Sequence, residues 1–532
     1  MPDAPLFSVF TATYNRCGTL ERVFRSLERQ TFTDFEWLIV DDGSTDDTQN
    51  VVAEFAKQAS FKVVYFRQSN RGKYRAWNAG VKAASGRFIA NVDSDDAMLP
   101  QGLECLIRAW ESIPREKKDH FVGVTGLCVD DAGMVVGDHF PQDVFDSDSA
   151  SANFRFHILG DKAGFVRRDV AAAHLFPEHL DTRFIPEGRI WLDIARNYQT
   201  RFINQPILII HDNGGGRLSA LARPVRAHGD LEYNRFALDH YGPKFPIQGL
   251  KSAVLAARAA IELGKTWPEI LAMPGSTAGT LVVAAVYPFA ALLHARDLVR
   301  GYGKLGLLAA ISRALPPSIG GKGMVKRAWS SVGAGEQLEI NVLDFRMSLD
   351  VGNPFERALV LFPRASVTRG IAFLRDALPE SATFIDLHAG EGFRTLYLSR
   401  RLASGRVCSV EQVEARRVRC LKSVEMSCAY NVTVMATYAE LDDKLPEIGG
   451  TDAPIAVSIK LGADSAEIFE DLFSSLPDPS RVKWVLLNGP QDSSEAIRVS
   501  RWLSDKGFAT KVESKCESIL ARDAAGTGRI DG

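Results

Sequence analysis

The chain has little cysteine for its size. Seven residues, at 17, 105, 128, 408, 420, 428 and 516, are scattered through 532 positions with no Cys-x-x-Cys pair among them. That excludes a zinc knuckle of the usual spacing and a disulfide framework, and it predicts a reducing cytoplasmic setting. An excess of one charge is also missing. Lys+Arg number 63 against Asp+Glu 65, a net charge of −2, which argues against a nucleic-acid partner held by bulk charge. No basic-then-apolar leader precedes Phe7, and no repeat of solenoid period occurs. Long apolar runs are absent but for one, Ala278 to Ala295, interrupted by Pro288 and followed by Arg296, Asp297 and Arg300. It lies at the lower edge of a membrane span, and both a buried helix and a membrane-surface segment remain open for it.

With 46% hydrophobic residues the composition is that of an ordinary globular protein, and the length asks for two or three domains. Residues 5–130 alternate apolar runs with amphipathic stretches. Strands are expected at Phe7–Ala12, Glu36–Val40, Lys62–Phe66, Arg87–Val92 and Phe121–Val129, with helices at Thr19–Gln30, Thr45–Gln58, Tyr74–Ala84 and Leu99–Ile113. That rhythm implies βαβ units and a largely parallel sheet, whose ligands bind beyond the C-terminal strand ends. Three polar clusters fall there: Thr13-Tyr14-Asn15, Asp41-Asp42-Gly43-Ser44 and Asn91-Val92-Asp93-Ser94-Asp95-Asp96. Carboxylates so close together are not expected in a core, because burying charge without a partner is costly. A divalent cation on a diphosphate is such a partner, and hard oxygens suit Mg²⁺ or Mn²⁺. Asp41 and Asp42 exceed what a capped turn with Ser44 or Thr45 as N-cap requires; a carboxylate there suits a base N–H or a ribose hydroxyl. Asn70-Arg71-Gly72-Lys73 offers cations either to a diphosphate or to solvent.

Taken together, Ser8–Asn15, Gln30-Thr31-Phe32, Val40–Asp46, Asn70-Arg71-Gly72, Trp77-Asn78-Ala79-Gly80 and Asp93-Ser94-Asp95-Asp96 resemble family-two glycosyltransferases of the GT-A fold. Gly160-Asp161-Lys162, Phe184-Ile185-Pro186-Glu187 and Arg217-Leu218-Ser219 continue the order. The resemblance implies inverting transfer of a sugar, of hexosyltransferase type, from a nucleotide-sugar donor to a glycan or lipid-linked acceptor in surface polysaccharide assembly. It implies Tyr14 and Asp42 at the nucleoside, Lys73 at the donor diphosphate, Asp93 near the ribose, Asp95 on the metal, and Asp96 beside donor or metal. Glu187 falls where the family's acidic base lies, although Gly188 follows it where Asp is common; Asp181 and Asp193 are the fallback bases. His211 ends a strand in a region from which a His can complete the metal shell in related enzymes. A lone His is more often surface or hydrogen-bonded.

A second α/β rhythm runs over 340–522, with strands expected at Thr383–Leu387, Arg406–Glu411, Val432–Ala436, Ile455–Ile459, Lys483–Asn488, Thr510–Val512 and Ser518–Ala521. Asp386-Leu387-His388-Ala389-Gly390-Glu391-Gly392 joins a strand to a helix, and Glu411 ends the next strand. This resembles a class I methyltransferase, with closer likeness to the FkbM family, and implies Asp386, Gly390, Gly392 and Glu411 around S-adenosylmethionine. His388 stands at the first loop glycine, where a side chain blocks backbone approach and strains the turn. Gly462 replaces an Asp, and Gln412 a Pro. Both an active enzyme and an inactive fold kept for packing remain open, and the departures favour the second.

The expected architecture is therefore α/β: a GT-A nucleotide-diphospho-sugar transferase domain (1–230), a helical, partly apolar connector and linker (231–335), a Rossmann-like, seven-stranded methyltransferase-type domain (336–522) and a small polar tail (523–532). The Gly-rich stretch 301–335, with Pro316-Pro317, reads as the linker. Rival readings are a bifunctional glycosyltransferase and methyltransferase, and a non-catalytic nucleotide-binding scaffold. Peripheral placement on the inner face of a membrane follows if 278–295 lies in the interface.

Overall fold

Strand β2 (Phe35–Asp41) is buried along its whole length and lies between β1 (Phe7–Thr13) and β3 (Lys62–Arg67). Every position of β2 faces protein, as a strand covered on both faces requires. The computed structural model describes residues 4–180, 182–211, 223–265, 267–314, 337–343, 345–361, 363–402, 404–427, 429, 431–449, 453–462, 464–514 and 517–522. These fall into two units, Met1–Ala260 with Thr266–Ala290, and Ile261–Lys265 with Ala291–Gly532.

In the first unit the remaining strands are β4 (Phe88–Asn91), β5 (Ala97–Met98), β6 (Phe121–Val129), β7 (Val144–Ser147), β8 (Lys162–Arg167) and β9 (Gln199–Ile209). The sheet order is β3-β2-β1-β4-β8-β6-β9-β5, with β7 on β9. The first four neighbours run parallel, whereas β8 runs antiparallel to both β4 and β6. Helix Cys17–Glu28 buries Leu20, Val23, Phe24 and Leu27, one stripe at helical spacing. Phe24 stacks on Phe55 with ring centroids 4.5 Å apart, and Trp37 donates to Thr11 Oγ1 at 3.0 Å beneath them. Helices Arg223–Tyr241 and Pro246–Glu262 follow, and helix Thr277–Ala314, with Pro288 inside it, belongs to this unit as far as Ala290 and to the second from Ala291.

The second unit opens with the hairpin β10 (Gln337–Val342) and β11 (Phe345–Asp350). Its main sheet holds β12 (Thr383–Asp386), β13 (Arg406–Val410), β14 (Val432–Met435), β15 (Ile455–Lys460), β16 (Val482–Asn488), β17 (Phe508–Ser514) and β18 (Glu517–Arg522). Their order is β14-β13-β12-β15-β16-β18-β17, parallel except at β18, which is antiparallel to both neighbours. This is the seven-stranded methyltransferase-type sheet expected from the sequence. The order reverses at β12, so the crevice beyond its C-terminal end is the natural ligand position.

Several sequence expectations need correction. Strands β5, β7, β8 and the β10–β11 hairpin were not foreseen. The helix expected from Leu99, after Pro100, begins at Gly102. Residues 301–314 are helical rather than linker: three glycines there do not end the helix, since each costs only about 1 kcal/mol. Pro316-Pro317, Asp181, Arg217-Leu218-Ser219 and the tail 523–532 lie outside the described residues.

A buried carboxylate ties the first unit together at the end away from the strand termini discussed below. Glu36 accepts from Ser8 Oγ (2.7 Å), Ser85 N (2.9 Å) and Lys62 Nζ (2.8 Å), and is 2% exposed. Burial opposes its charge, but Lys62, Ser85 and Ser8 outweigh that and hold its pKa at about 2. A depressed folded pKa stabilises the fold above the unfolded glutamate value, about 4.3, and that stability is lost as pH falls toward 2. Glu36→Gln is expected to cost roughly 2–3 kcal/mol at pH 7, with the difference from wild type shrinking between pH 4.5 and 2. Urea unfolding across that range checks it; a cost independent of pH is the contrary result.

Candidate active site

The three polar clusters meet because β2, β1 and β4 are neighbours in the sheet. Asn15, at φ 50°, turns the chain after β1. Its backbone N–H donates to Ser44 Oγ at 2.9 Å, and its side-chain oxygen accepts from Thr45 N at 2.7 Å. Ser44 therefore ties two loops together and is not a helix cap. The helix begins at Thr48, whose N–H and hydroxyl reach Asp46 at 3.2 and 2.6 Å. Tyr14 lies half-buried in the same loop.

Asp41 and Asp42 point to different work. Asp41 accepts from Ser44 N at 2.7 Å and from the Tyr65 hydroxyl. Asp42 accepts from Gln68 Nε2 (2.7 Å), Arg71 N (2.9 Å) and Gly72 N (2.7 Å), bracing the turn that starts helix Lys73–Ala83. Burial raises its pKa against those three donors. Gly72, at φ 97°, lets this turn pass close to the 182–184 segment: a Cβ there would sit 2.1 Å from Arg183 O. No other residue fits.

That close approach places Lys73 between two acids distant in sequence. Its Nζ lies 2.8 Å from both Asp93 oxygens and 2.7 Å from Glu187 Oε1. Burial disfavours the ammonium, but Asp93 and Glu187 overcome it and raise the Lys73 pKa. Reciprocally, Lys73 lowers Asp93 despite burial. Glu187 precedes helix Gly188–Ile194 without a side-chain cap bond and keeps 53% of its side chain exposed. Asp193 is committed elsewhere, to His174 Nδ1 at 3.1 Å and Arg196 Nη1 at 3.2 Å.

Next to this bridge, Asp95 Oδ2 accepts from Arg16 Nη1 at 3.0 Å, and the Asp95 carbonyl accepts from Arg22 at 2.6 Å. Neither arginine was singled out from the sequence, although Arg16 directly follows the Thr13–Asn15 cluster. Asp96, contrary to expectation, is buried at 8% exposure. Its burial, and the charges of Asp93 and Asp95, push its pKa up to about 7, so the cost of burial appears as a held proton. It accepts from His211 N at 3.3 Å. His211 Nδ1 pairs with Asp131, while its Nε2 is buried without a partner among the described residues. No group of three His, Cys, Asp or Glu donors is preassembled among the described residues. A cation that keeps phosphate and water ligands needs only one or two protein donors. The carboxylates at 93–96 and the orphaned His211 nitrogen fit that requirement.

In the second unit, Asp386, Gly390, Gly392 and Glu411 converge on the crevice at β12 and β13. Gly390 N donates to Glu411 Oε2 at 2.8 Å, and Gly392, at φ 90°, starts helix Phe393–Ser399. His388 is not among the residues with positive φ, so the expected turn strain is not present.

Residues 8–126 match the model of the family described as Glycosyl transferase family 2. An uncharacterized glycosyltransferase of Nostoc sp. is 37% identical over 105 residues, 20% of this chain and 33% of the relative. One of Rickettsia conorii is 29% identical over 213 residues, 39% of this chain and 33% of the relative. The chain thus spans about a third of the length of these relatives. Among solved structures, S. aureus TarS 1-349 in complex with UDP-GlcNAc aligns with a TM-score of 0.36 and 16% identity, covering 65% of this chain and 96% of that one.

Asp42→Ala would strand two buried backbone N–H groups, each costing about 1–3 kcal/mol. The expected result is a lower melting temperature together with weakened binding of a nucleoside diphosphate, read by thermal shift and calorimetry. Unchanged stability would show that Asp42 does not brace the turn.

Proposed function

We propose that the N-terminal domain transfers a sugar, with inversion, from a nucleotide-sugar donor to a glycan or lipid-linked acceptor in surface polysaccharide assembly, using Mg²⁺ or Mn²⁺. The observation that carries this is the Lys73 bridge from Asp93 to Glu187, beside Asp95, Asp96 and the unpaired nitrogen of His211. Asp93 lies on the donor side, while Glu187, exposed at a helix start, faces the acceptor side. In a single displacement the acceptor oxygen bonds to the anomeric carbon as the bond from that carbon to the phosphate oxygen breaks. Its electron pair leaves with the diphosphate, and Glu187 takes the acceptor proton. Asp95 and His211 would hold the cation, with Asp96 beside it. When bound, the cation offsets charge developing on the leaving group. Tyr14 lines the nucleoside end. Lys73, between the two acids, keeps the base oriented while offering its charge to the diphosphate.

Asp95→Ala is expected to abolish transfer while the unit stays folded, because the site lies at strand ends outside the apolar core. Full activity of this variant in chelator would sink the metal reading. Glu187→Gln should lower turnover by about a hundredfold while donor binding persists. If Asp193→Asn rather than Glu187→Gln shows that loss in a diphosphate-release assay, the base is misassigned.

We further infer a cytoplasmic enzyme resting on an anionic membrane surface. Residues Thr277–Leu298 are apolar and long enough to cross a membrane, with mean hydropathy 1.7 and 28% of the window buried. Leu281, Phe289 and Leu292 are 66%, 55% and 64% exposed. Their spacing puts them on one face, which continues into exposed Arg296 and Arg300. An apolar stripe ending in arginines suits an interfacial helix better than a span. Flotation with anionic vesicles is expected for wild type and lost for Leu281→Asp with Phe289→Asp. Wild-type protein that stays at the bottom overturns this placement.

A further inference from the structure

The second unit has the sheet order of a methyltransferase, and that fold implies S-adenosylmethionine. The cofactor carries an ammonium and a sulfonium against one carboxylate, a net positive charge, so a crevice that binds it needs accessible negative charge at its cationic end. The crevice beyond β12 holds three acids, and each is already engaged by the protein itself.

Asp386 is fully buried. It accepts from Thr395 Oγ1 at 3.2 Å and pairs with Arg394 Nη2 at 3.5 Å. The same guanidinium nitrogen donates to the His388 carbonyl at 2.6 Å, which fixes Arg394 across the mouth of the loop. Glu411, 5% exposed, uses one oxygen for Gly390 N (2.8 Å) and the other for Val413 N (2.9 Å). Its carboxylate closes the loop onto the next strand end. Glu391, at 8% exposure, is pushed by burial up to about 7. His388 occupies the first glycine position of the loop, with Nε2 3.4 Å from the Tyr438 hydroxyl.

These residues do not fit the cofactor. We propose that Arg394 stands in for its cationic end and that His388 takes the space beside the loop, so that the second unit does not bind S-adenosylmethionine and does not methylate. A second cation beside Asp386 would be repelled by a guanidinium that desolvation has left little screened. Lysine-like mobility does not relieve this, because Arg394 is held at two points and only 19% of its side chain is exposed.

The test is equilibrium dialysis of the full chain with radiolabelled S-adenosylmethionine. Wild type is expected to show no saturable binding up to about 1 mM. The double variant His388→Gly with Arg394→Ala, shown folded by circular dichroism, should bind at least about tenfold more tightly than wild type, about 1.4 kcal/mol. Arg394→Gln, which keeps most of the packing, should gain part of that if the double variant is unstable. Micromolar binding by wild type overturns the proposal. So does a folded Arg394→Gln or double variant with no gain, since these side chains would then not be what closes the crevice.

Discussion

The first unit's site depends on one half-buried lysine ammonium. Lys73 reaches an acid 20 residues ahead and another more than a hundred residues on, and nothing local would bring those three together. Two backbone conditions make it possible. Gly72 gives up a side chain so that the 182–184 segment can come within contact, and Asp42 anchors the turn by taking its N–H groups. With either condition lost, Lys73 would keep its charge but not its position. Because both acids are held by the same nitrogen, a change at Asp93 is felt directly at Glu187.

Asp93, Asp95, Asp96 and Glu187 are four carboxyl groups drawn together at the strand ends, with Lys73 and Arg16 among the side-chain cations paired to them. Burial and the charges of Asp93 and Asp95 raise Asp96 to about 7. Arg16 has a related part. It lies on Asp95, so under the proposed function it would exchange that carboxylate for the diphosphate if Asp95 held a cation.

Much of this was legible in the sequence, for identifiable reasons. Strand β6 was read at its observed bounds, and β1 and β2 to within a residue or two, because strands buried on both faces are continuous apolar runs. Strands β5, β7 and β8 were missed because they are short or carry charge at their ends. Lys162–Arg167, for example, begins and ends on a cation and is only half-buried there. Ser44 was misread as a cap since its partner, Asn15, belongs to a different loop. The acidic clusters announced the site, but their division of labour did not show. Asp41 and Asp42 are adjacent, yet only the turn at 70–72 tells which one braces it. Asp96 looked exposed because three acids close together are costly to bury; folding meets that cost with a proton.

The two units use the same architectural opening in opposite ways. Both place acidic residues at the C-terminal ends of parallel strands, where side chains can converge without interrupting a core. In the first unit Lys73 and Arg16 pair with Asp93, Glu187 and Asp95, and Asp96 is pushed up to about 7. The second unit carries a matching raised carboxyl, Glu391, so a raised carboxyl does not by itself tell the two crevices apart. In the second unit Arg394, Thr395 and two loop amides engage Asp386 and Glu411 from within. The cations differ more than the acids do. Lys73 bridges two carboxylates, of which Glu187 keeps 53% of its side chain exposed, whereas Arg394 is held between a fully buried carboxylate and a loop carbonyl. One arrangement leaves a carboxylate open at the strand ends, and the other ties its cation to the loop.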